Sequence, residues 1–163
     1  MCNLIAAREL RPNYYTSEAL MIAIACDHGG YQYKQMLMQH LKDRGIEYKD
    51  FGTWSEESCD YPDYARPVAE AVAAGTYEKG ILICGTGIGM SIAANKVHGI
   101  RAAVCGDAFS AKATREHNDA NVLCMGARVI SEAKALEITD IFLDTPFSKD
   151  ERHIRRISKI EQP

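Results

Sequence analysis

No apolar run in this chain approaches the roughly 20 residues needed to span a bilayer, so no membrane association is expected. Basic residues are not in excess: 19 Lys and Arg stand against 22 Asp and Glu, for a formal charge of −3. That balance gives no footing for nucleic-acid binding. The six cysteines, at 2, 26, 59, 84, 105 and 124, include no CxxC pair and none placed with histidines at zinc-site spacing. No metal site is therefore expected. Most of these cysteines lie in apolar, strand-like stretches, where a free cysteine behaves as a small hydrophobe. Reduced thiols and a cytoplasmic location follow as expectations. No internal repeat and no low-complexity linker interrupts the chain.

What is present suits one domain. A length of 163 residues fits a single core, and 47% hydrophobic content is ordinary for a globular protein. Met1–Leu20 differs from the rest, carrying Arg8, Glu9, Arg11, Pro12, Asn13 and Glu18 without a continuous apolar core. That argues against a secretory signal. The segment is expected to be a flexible N-terminal extension, with a single domain over 21–163.

From Met21 onward, apolar strand candidates alternate with helical segments. Strands are predicted over 21–26, 46–51, 80–84, 101–105 and 122–125. Helices are predicted over 31–44, 67–74, 91–97, 108–117, 131–143 and, at the C-terminus, 149–160. Strands apolar on both faces and separated by helices indicate a parallel sheet covered on both sides. The expected fold is α/β, a three-layer Rossmann-like sandwich with a five-stranded parallel sheet and a C-terminal helix. In such sheets ligands bind outside the carboxyl ends of the strands. Asp27-His28-Gly29-Gly30, the turn after Cys84, and Gly106-Asp107 all fall there.

The richest stretch is Ile83-Cys84-Gly85-Thr86-Gly87-Ile88-Gly89-Met90-Ser91. It puts a thiol at a strand end, beside backbone N–H groups at a helix N-terminus. Such N–H groups bind anions and favour thiolate over thiol. The turn is not a dinucleotide fingerprint, because its glycines have the wrong spacing, and it is not a P-loop, because no Gly-Lys-Ser/Thr follows. Met90 occupies the place where a cysteine-phosphatase loop needs arginine. What remains is an anion cradle beside a thiol, or a tight strand–helix connection. Asp27-His28 is either a functional pair or an N-cap with a solvated histidine. His117-Asn118 is either functional or a helix stop. Arg152, Arg156 and Lys159 line one face of the last helix, with Ile154, Ile157 and Ile160 on the other. That basic face either is solvated or clamps a phosphate, and Arg128 is a further phosphate candidate.

These stretches, together with Asp60-Tyr61-Pro62, Ser91-Ile92-Ala93-Ala94-Asn95-Lys96, Arg115-Glu116-His117-Asn118-Asp119-Ala120-Asn121 and Gly126-Ala127-Arg128, closely resemble the ribose-5-phosphate isomerase type B family. The wider family includes galactose-6-phosphate and allose-6-phosphate isomerases. The similarity runs from about Met21 to Ile160. It implies a cofactor-free aldose–ketose isomerase that interconverts ribose 5-phosphate and ribulose 5-phosphate through an enediolate, in the non-oxidative pentose phosphate pathway. By the resemblance, Cys84 is the base moving a proton between C2 and C1. Thr86 and the N–H groups of Gly85, Gly87, Ile88 and Gly89 form the anion hole. His117 helps open the furanose ring, Asp27 handles ring or hydroxyl protons, and Asn118 binds substrate. His28, Arg128, Arg152 and Arg156 hold the phosphate, and Tyr61 lines the pocket. Some members carry a glutamate at the place of Met90 in lieu of the cysteine, so this chain resembles the thiol-dependent type. The resemblance also implies a homodimer with shared active sites, in some members paired into tetramers. His117, Asn118 and Arg128 are then expected to meet the Cys84 loop of the other subunit. A six-carbon sugar phosphate, and a non-catalytic sugar-phosphate-binding role, stand as alternatives.

Overall fold

Ile22, Ile24, Ile81, Ile83, Leu123 and Met125 turn to one side of the sheet, while Ala23, Ala25, Leu82, Cys84, Val122 and Cys124 turn to the other. Successive strand side chains point to opposite faces, so a strand apolar at every position must be covered twice. The structure, a computed structural model, describes residues 21–162. The extension expected over residues 1–20 lies outside the described residues.

The elements follow in the order β1 (Met21–Cys26), α1 (Tyr31–Asp43), β2 (Glu47–Asp50), α2 (Pro62–Ala73), β3 (Lys79–Cys84), α3 (Ile88–Ala94), β4 (Ala102–Val104), α4 (Ala108–Asn118), β5 (Val122–Gly126), α5 (Glu132–Asp144) and α6 (Glu151–Ile160). The five strands are all parallel, in the order β2-β1-β3-β5-β4. The register pairs Cys26 with Ile83 and Cys84 with Gly126, which aligns the carboxyl ends of the three central strands. α1, α4 and α5 cover one face, packing Leu37, Leu41, Ala111, Ile138 and Phe142 on the sheet. α2 and α3 cover the other with Ala65, Val68, Val72, Met90 and Ala94. The expected three-layer α/β sandwich is thus the observed one. No helix among the described residues is long and apolar enough to cross a membrane.

Three helices depart from the sequence reading. α2 begins at Pro62, not at 67, and Pro67 lies inside it. Pro62 occupies the first turn, where a missing N–H costs nothing. Pro67 sits on the exposed side of the second turn. α3 begins at Ile88, three residues before the predicted start, because Gly87 adopts a left-handed conformation with φ of 79° and turns the chain directly into the helix. In α6 only His153 is buried, whereas Ile154 and Ile160 of the apolar stripe are exposed.

Candidate active site

Three turns at the carboxyl ends of β1, β3 and β5 close on one another, and glycine makes the approach possible. A Cβ on Gly30 would stand 2.5 Å from the Ile83 carbonyl oxygen, one on Gly87 2.9 Å from the Met125 carbonyl carbon, and one on Gly126 2.6 Å from the Thr86 carbonyl carbon. No side chain fits at such distances. The β3 and β5 turns are also tied by hydrogen bonds: Ala127 N–H donates to the Cys84 carbonyl at 2.9 Å, and Arg128 N–H to the Gly85 carbonyl at 3.0 Å.

Cys84 ends β3 at 5% exposure, so the thiol sits under the turn. Its Sγ accepts a hydrogen bond from Gly87 N–H at 3.0 Å. Ile88 N–H donates to Thr86 Oγ1 at 3.3 Å. Two of the N–H groups expected to line an anion hole are thus engaged inside the turn. Burial pushes the Cys26 thiol up to about 12 and the Cys105 thiol to about 11, and raises that of Cys124 well above its ordinary value. Those three are packing residues.

Asp27 caps the 3-10 turn after β1, with Oδ1 accepting from Gly29 N–H at 2.8 Å and Gly30 N–H at 3.2 Å. Asp27 is thus an N-cap, and the cap fixes its carboxylate beside the Cys84 turn. His28 follows. Its Nδ1 accepts from Cys59 N–H at 3.3 Å, so the neutral ring carries its proton on Nε2. The guanidinium of Arg128 reaches over both turns, within 3.5 Å of a Cβ built on Gly29 and 3.4 Å of one on Gly85. Tyr61 covers the other end of the loop, where a Cβ on Gly89 would stand 2.9 Å from its ring. Asp27, His28, Tyr61, Cys84, Gly85 to Gly89 and Arg128 thus form one cluster at the carboxyl edge of the sheet.

His117, Asn118, Arg152 and Arg156 are elsewhere. α4 leaves the carboxyl end of β4 and runs back about 16 Å to the amino end, so His117 and Asn118 at its terminus lie across the sheet from Cys84. α6 packs there as well. Ser148 N–H donates to the Glu116 carbonyl at 3.2 Å, Arg101 at the start of β4 pairs with Glu161 at 2.6 Å, and the rings of His117 and His153 stack 4.5 Å apart. Arg152 and Arg156 are exposed on α6. A cleft of about 290 Å³ beside the β4 edge has Asn118, Arg101 and Ile160 in its walls. Within one chain the expected site is therefore split in two. Arg128 belongs with Cys84 of its own chain, not with His117 and Asn118, because the β5 turn that carries it is bonded to the β3 turn.

Three contributors escaped the sequence reading. Cys59 acts through its backbone N–H, which no side-chain pattern reveals. Buried His153 sits between the two arginines singled out on α6. Lys34 is wholly buried and donates to Asp50 Oδ1 at 2.7 Å, to Asp50 Oδ2 at 2.8 Å and to the Thr53 carbonyl at 2.6 Å. It anchors the segment whose Gly52 and Thr53 bond to Cys26. Among the described residues no group of three or more His, Cys, Asp or Glu side chains is arranged to hold a metal ion.

Residues 22–160 match the profile of the Ribose/Galactose Isomerase family. The chain belongs to that family. Ribose-5-phosphate isomerase B of Escherichia coli is 49% identical over 86% of this chain and 96% of its own length. The solved structure of Clostridium thermocellum ribose-5-phosphate isomerase B superposes with a TM-score of 0.85 at 52% identity, covering 86% of this chain and 95% of that one. Ribose-5-phosphate isomerase B of Mycoplasma genitalium, solved with bound ribulose-5-phosphate, gives a TM-score of 0.83 at 40% identity, over 86% of this chain and 93% of that one.

Proposed function

We propose that this protein interconverts ribose 5-phosphate and ribulose 5-phosphate through an enediolate, with Cys84 as the base. The observation that carries the reading is a single thiol at a strand end that accepts an N–H from a glycine turn, with an aspartate, a histidine and an arginine around it, in a chain of this family. Proton transfer between adjacent carbons needs one base that reaches both and a stabilised oxygen between them.

The furanose opens first. A proton passes to the ring oxygen as one leaves the C1 hydroxyl, with His117 and Asp27 as the exchanging groups. Cys84 thiolate then takes the C2 proton, and the electron pair moves through C2–C1 onto O1. Thr86 and the turn N–H groups that face substrate stabilise that oxygen, at roughly 3–4 kcal/mol for a well-placed donor. The thiol returns its proton to C1, and the proton of the O2 hydroxyl passes to O1. Asn118 holds a sugar hydroxyl and Tyr61 closes the pocket. His28, Arg128, Arg152 and Arg156 receive the phosphate, which anchors the small sugar remotely. In this reading the chemistry uses no cofactor.

The reading includes a homodimer in which the Cys84 cluster of one subunit meets His117, Asn118, Arg152 and Arg156 of the other. The split within one chain supports it. So does exposed apolar surface on α3, β4, α4 and α6: Phe109 is 78% exposed, and Ile88, Ile92, Val104, Ile154 and Ile160 are exposed as well. Such surface calls for a partner. We also place the enzyme in the cytoplasm, since its five described cysteines are free thiols, the state a reducing compartment maintains.

The test is ketose formation from ribose 5-phosphate, allose 6-phosphate and galactose 6-phosphate under identical conditions. A kcat/KM highest for the pentose is the expected result. Preference for a hexose 6-phosphate would move the assignment to a sister isomerase. Binding of all three without turnover would make the protein a sugar-phosphate binder.

A further inference from the structure

His153 is the buried side chain that the mechanism above leaves unused. It stands at 4% exposure on α6, and its Nε2 has no hydrogen-bond partner. The nearest carboxylate oxygen, Asp150 Oδ2, is 3.8 Å away. Leaving a buried ring nitrogen unpartnered is costly, so a fold that keeps the imidazole there must use something else about it. Its face is what is used. The ring lies on that of His117 with centroids 4.5 Å apart and planes 11° from parallel.

We propose that His153 is a positioning residue for His117, a neutral flat support that holds the exposed imidazole in one orientation for ring opening. The inference rests on the isomerase reading for its activity assay and on the stack alone for its spectroscopic one. His117 stands in the last turn of α4, exposed, where an unsupported side chain samples several rotamers. Docking a buried ring against its face removes that freedom before substrate arrives.

Charge acts on the supporting ring as well. His153 is faced by His117 from α4, by Arg152 and Arg156 of its own helix, and by Asp150 at the helix start. Burial, followed by the charges of His117 and Arg152, lowers its pKa, against the opposite pull of Asp150. Positive charge on His117 at this spacing disfavours a second one on His153, which keeps the supporting ring toward its neutral form. A neutral support adds no charge beside the imidazole that handles the ring-opening proton.

The experiment compares His153→Ala, which removes the support, with His153→Phe, which keeps a flat face. Three readouts are taken on protein shown to be folded by thermal unfolding. They are turnover of ribose 5-phosphate at saturation, deuterium exchange at C1 of ribulose 5-phosphate in D2O, and the NMR titration of the His117 ring. Ribulose 5-phosphate cannot close a furanose through its phosphorylated C5 oxygen, so its exchange reports proton transfer without ring opening.

His153→Ala is expected to lose about tenfold or more in turnover while exchange stays within about twofold. The His117 ring signals move toward free histidine, and His153→Phe restores most of the turnover. Unchanged turnover in His153→Ala overturns the proposal. So does a parallel fall of turnover and exchange, or a Phe variant as impaired as the Ala variant. If wild type fails to turn over ribose 5-phosphate, the isomerase reading fails. The positioning role is then decided by the His117 signals alone: a shift on His153→Ala but not on His153→Phe supports it, and no difference overturns it.

Discussion

Replacing Asp50 by Asn strands a charge inside the protein. Lys34 is fully buried, and its ammonium makes three short contacts, two to the Asp50 carboxylate and one to the Thr53 carbonyl. The Asn variant keeps an oxygen for one of them but removes the countercharge. Breaking a buried ion pair from one side typically costs about 3–5 kcal/mol. Asp50 is itself 21% exposed, so water can reach part of the vacated position, and the lower end applies. About 3 kcal/mol corresponds to a fall in Tm of roughly 6–12 °C for a domain of this size. The double variant Lys34→Met/Asp50→Asn removes the cation too and is expected to be more stable than Asp50→Asn alone, since an apolar pair of similar volume often replaces a buried ion pair at little cost. Differential scanning calorimetry of wild type and the two variants checks both statements. An Asp50→Asn variant melting within about 1 °C of wild type, or a double variant no better than Asp50→Asn, would refute the view that Lys34 is held by this carboxylate.

Gly87→Ala and Gly75→Ala both place a methyl at positive φ, 79° and 74°, but only the first meets backbone at 2.9 Å. Gly75→Ala is expected to cost about 1–2 kcal/mol of strain with activity intact. Gly87→Ala should cost more and also lower turnover by displacing the N–H on Cys84, as read by denaturant unfolding and steady-state kinetics. Mixing Cys84→Ala protein with His117→Ala protein, each inactive alone, should restore activity after subunit exchange, because a mixed dimer holds one site with both residues. No recovery from mixed dimers would confine the site to one chain. Stability should also fall as pH drops below about 6.5. His153 has a lowered folded pKa, so below its ordinary value of about 6.5 the unfolded chain binds more protons and unfolding gains. His153→Phe should flatten that part of the Tm–pH profile, and a profile unchanged by the substitution would contradict the assignment.

The layers of the fold were legible because parallel strands buried on both faces read as unbroken apolar runs, as Ile81 to Cys84 and Val122 to Met125 do. Helix starts were harder. Pro67 looked like a beginning, but a proline on an exposed helix face is tolerated when Pro62 and the preceding loop have already set the first turn. The left-handed Gly87 made α3 start earlier than its apolar pattern suggested. Candidate site residues were legible as types, since a thiol followed by a glycine turn points to anion chemistry. Their grouping was not, because it depends on helix direction. α4 runs antiparallel to the strands and carries His117 away from Cys84, while the β5 turn keeps Arg128 beside it. The stack of His117 on His153, the Cys59 N–H on His28 and the Lys34–Asp50 pair join segments distant in sequence, and no local pattern signals them.

In the proposed mechanism Cys84 moves the proton between C2 and C1. Deuterium exchange at C1 of ribulose 5-phosphate in D2O, followed by NMR for wild type and Cys84→Ala, tests it without dependence on ring opening. Wild type is expected to catalyse the exchange and the variant to be slower by about two to four orders of magnitude, the usual contribution of a positioned base. Exchange by folded Cys84→Ala at a rate near that of wild type would contradict it.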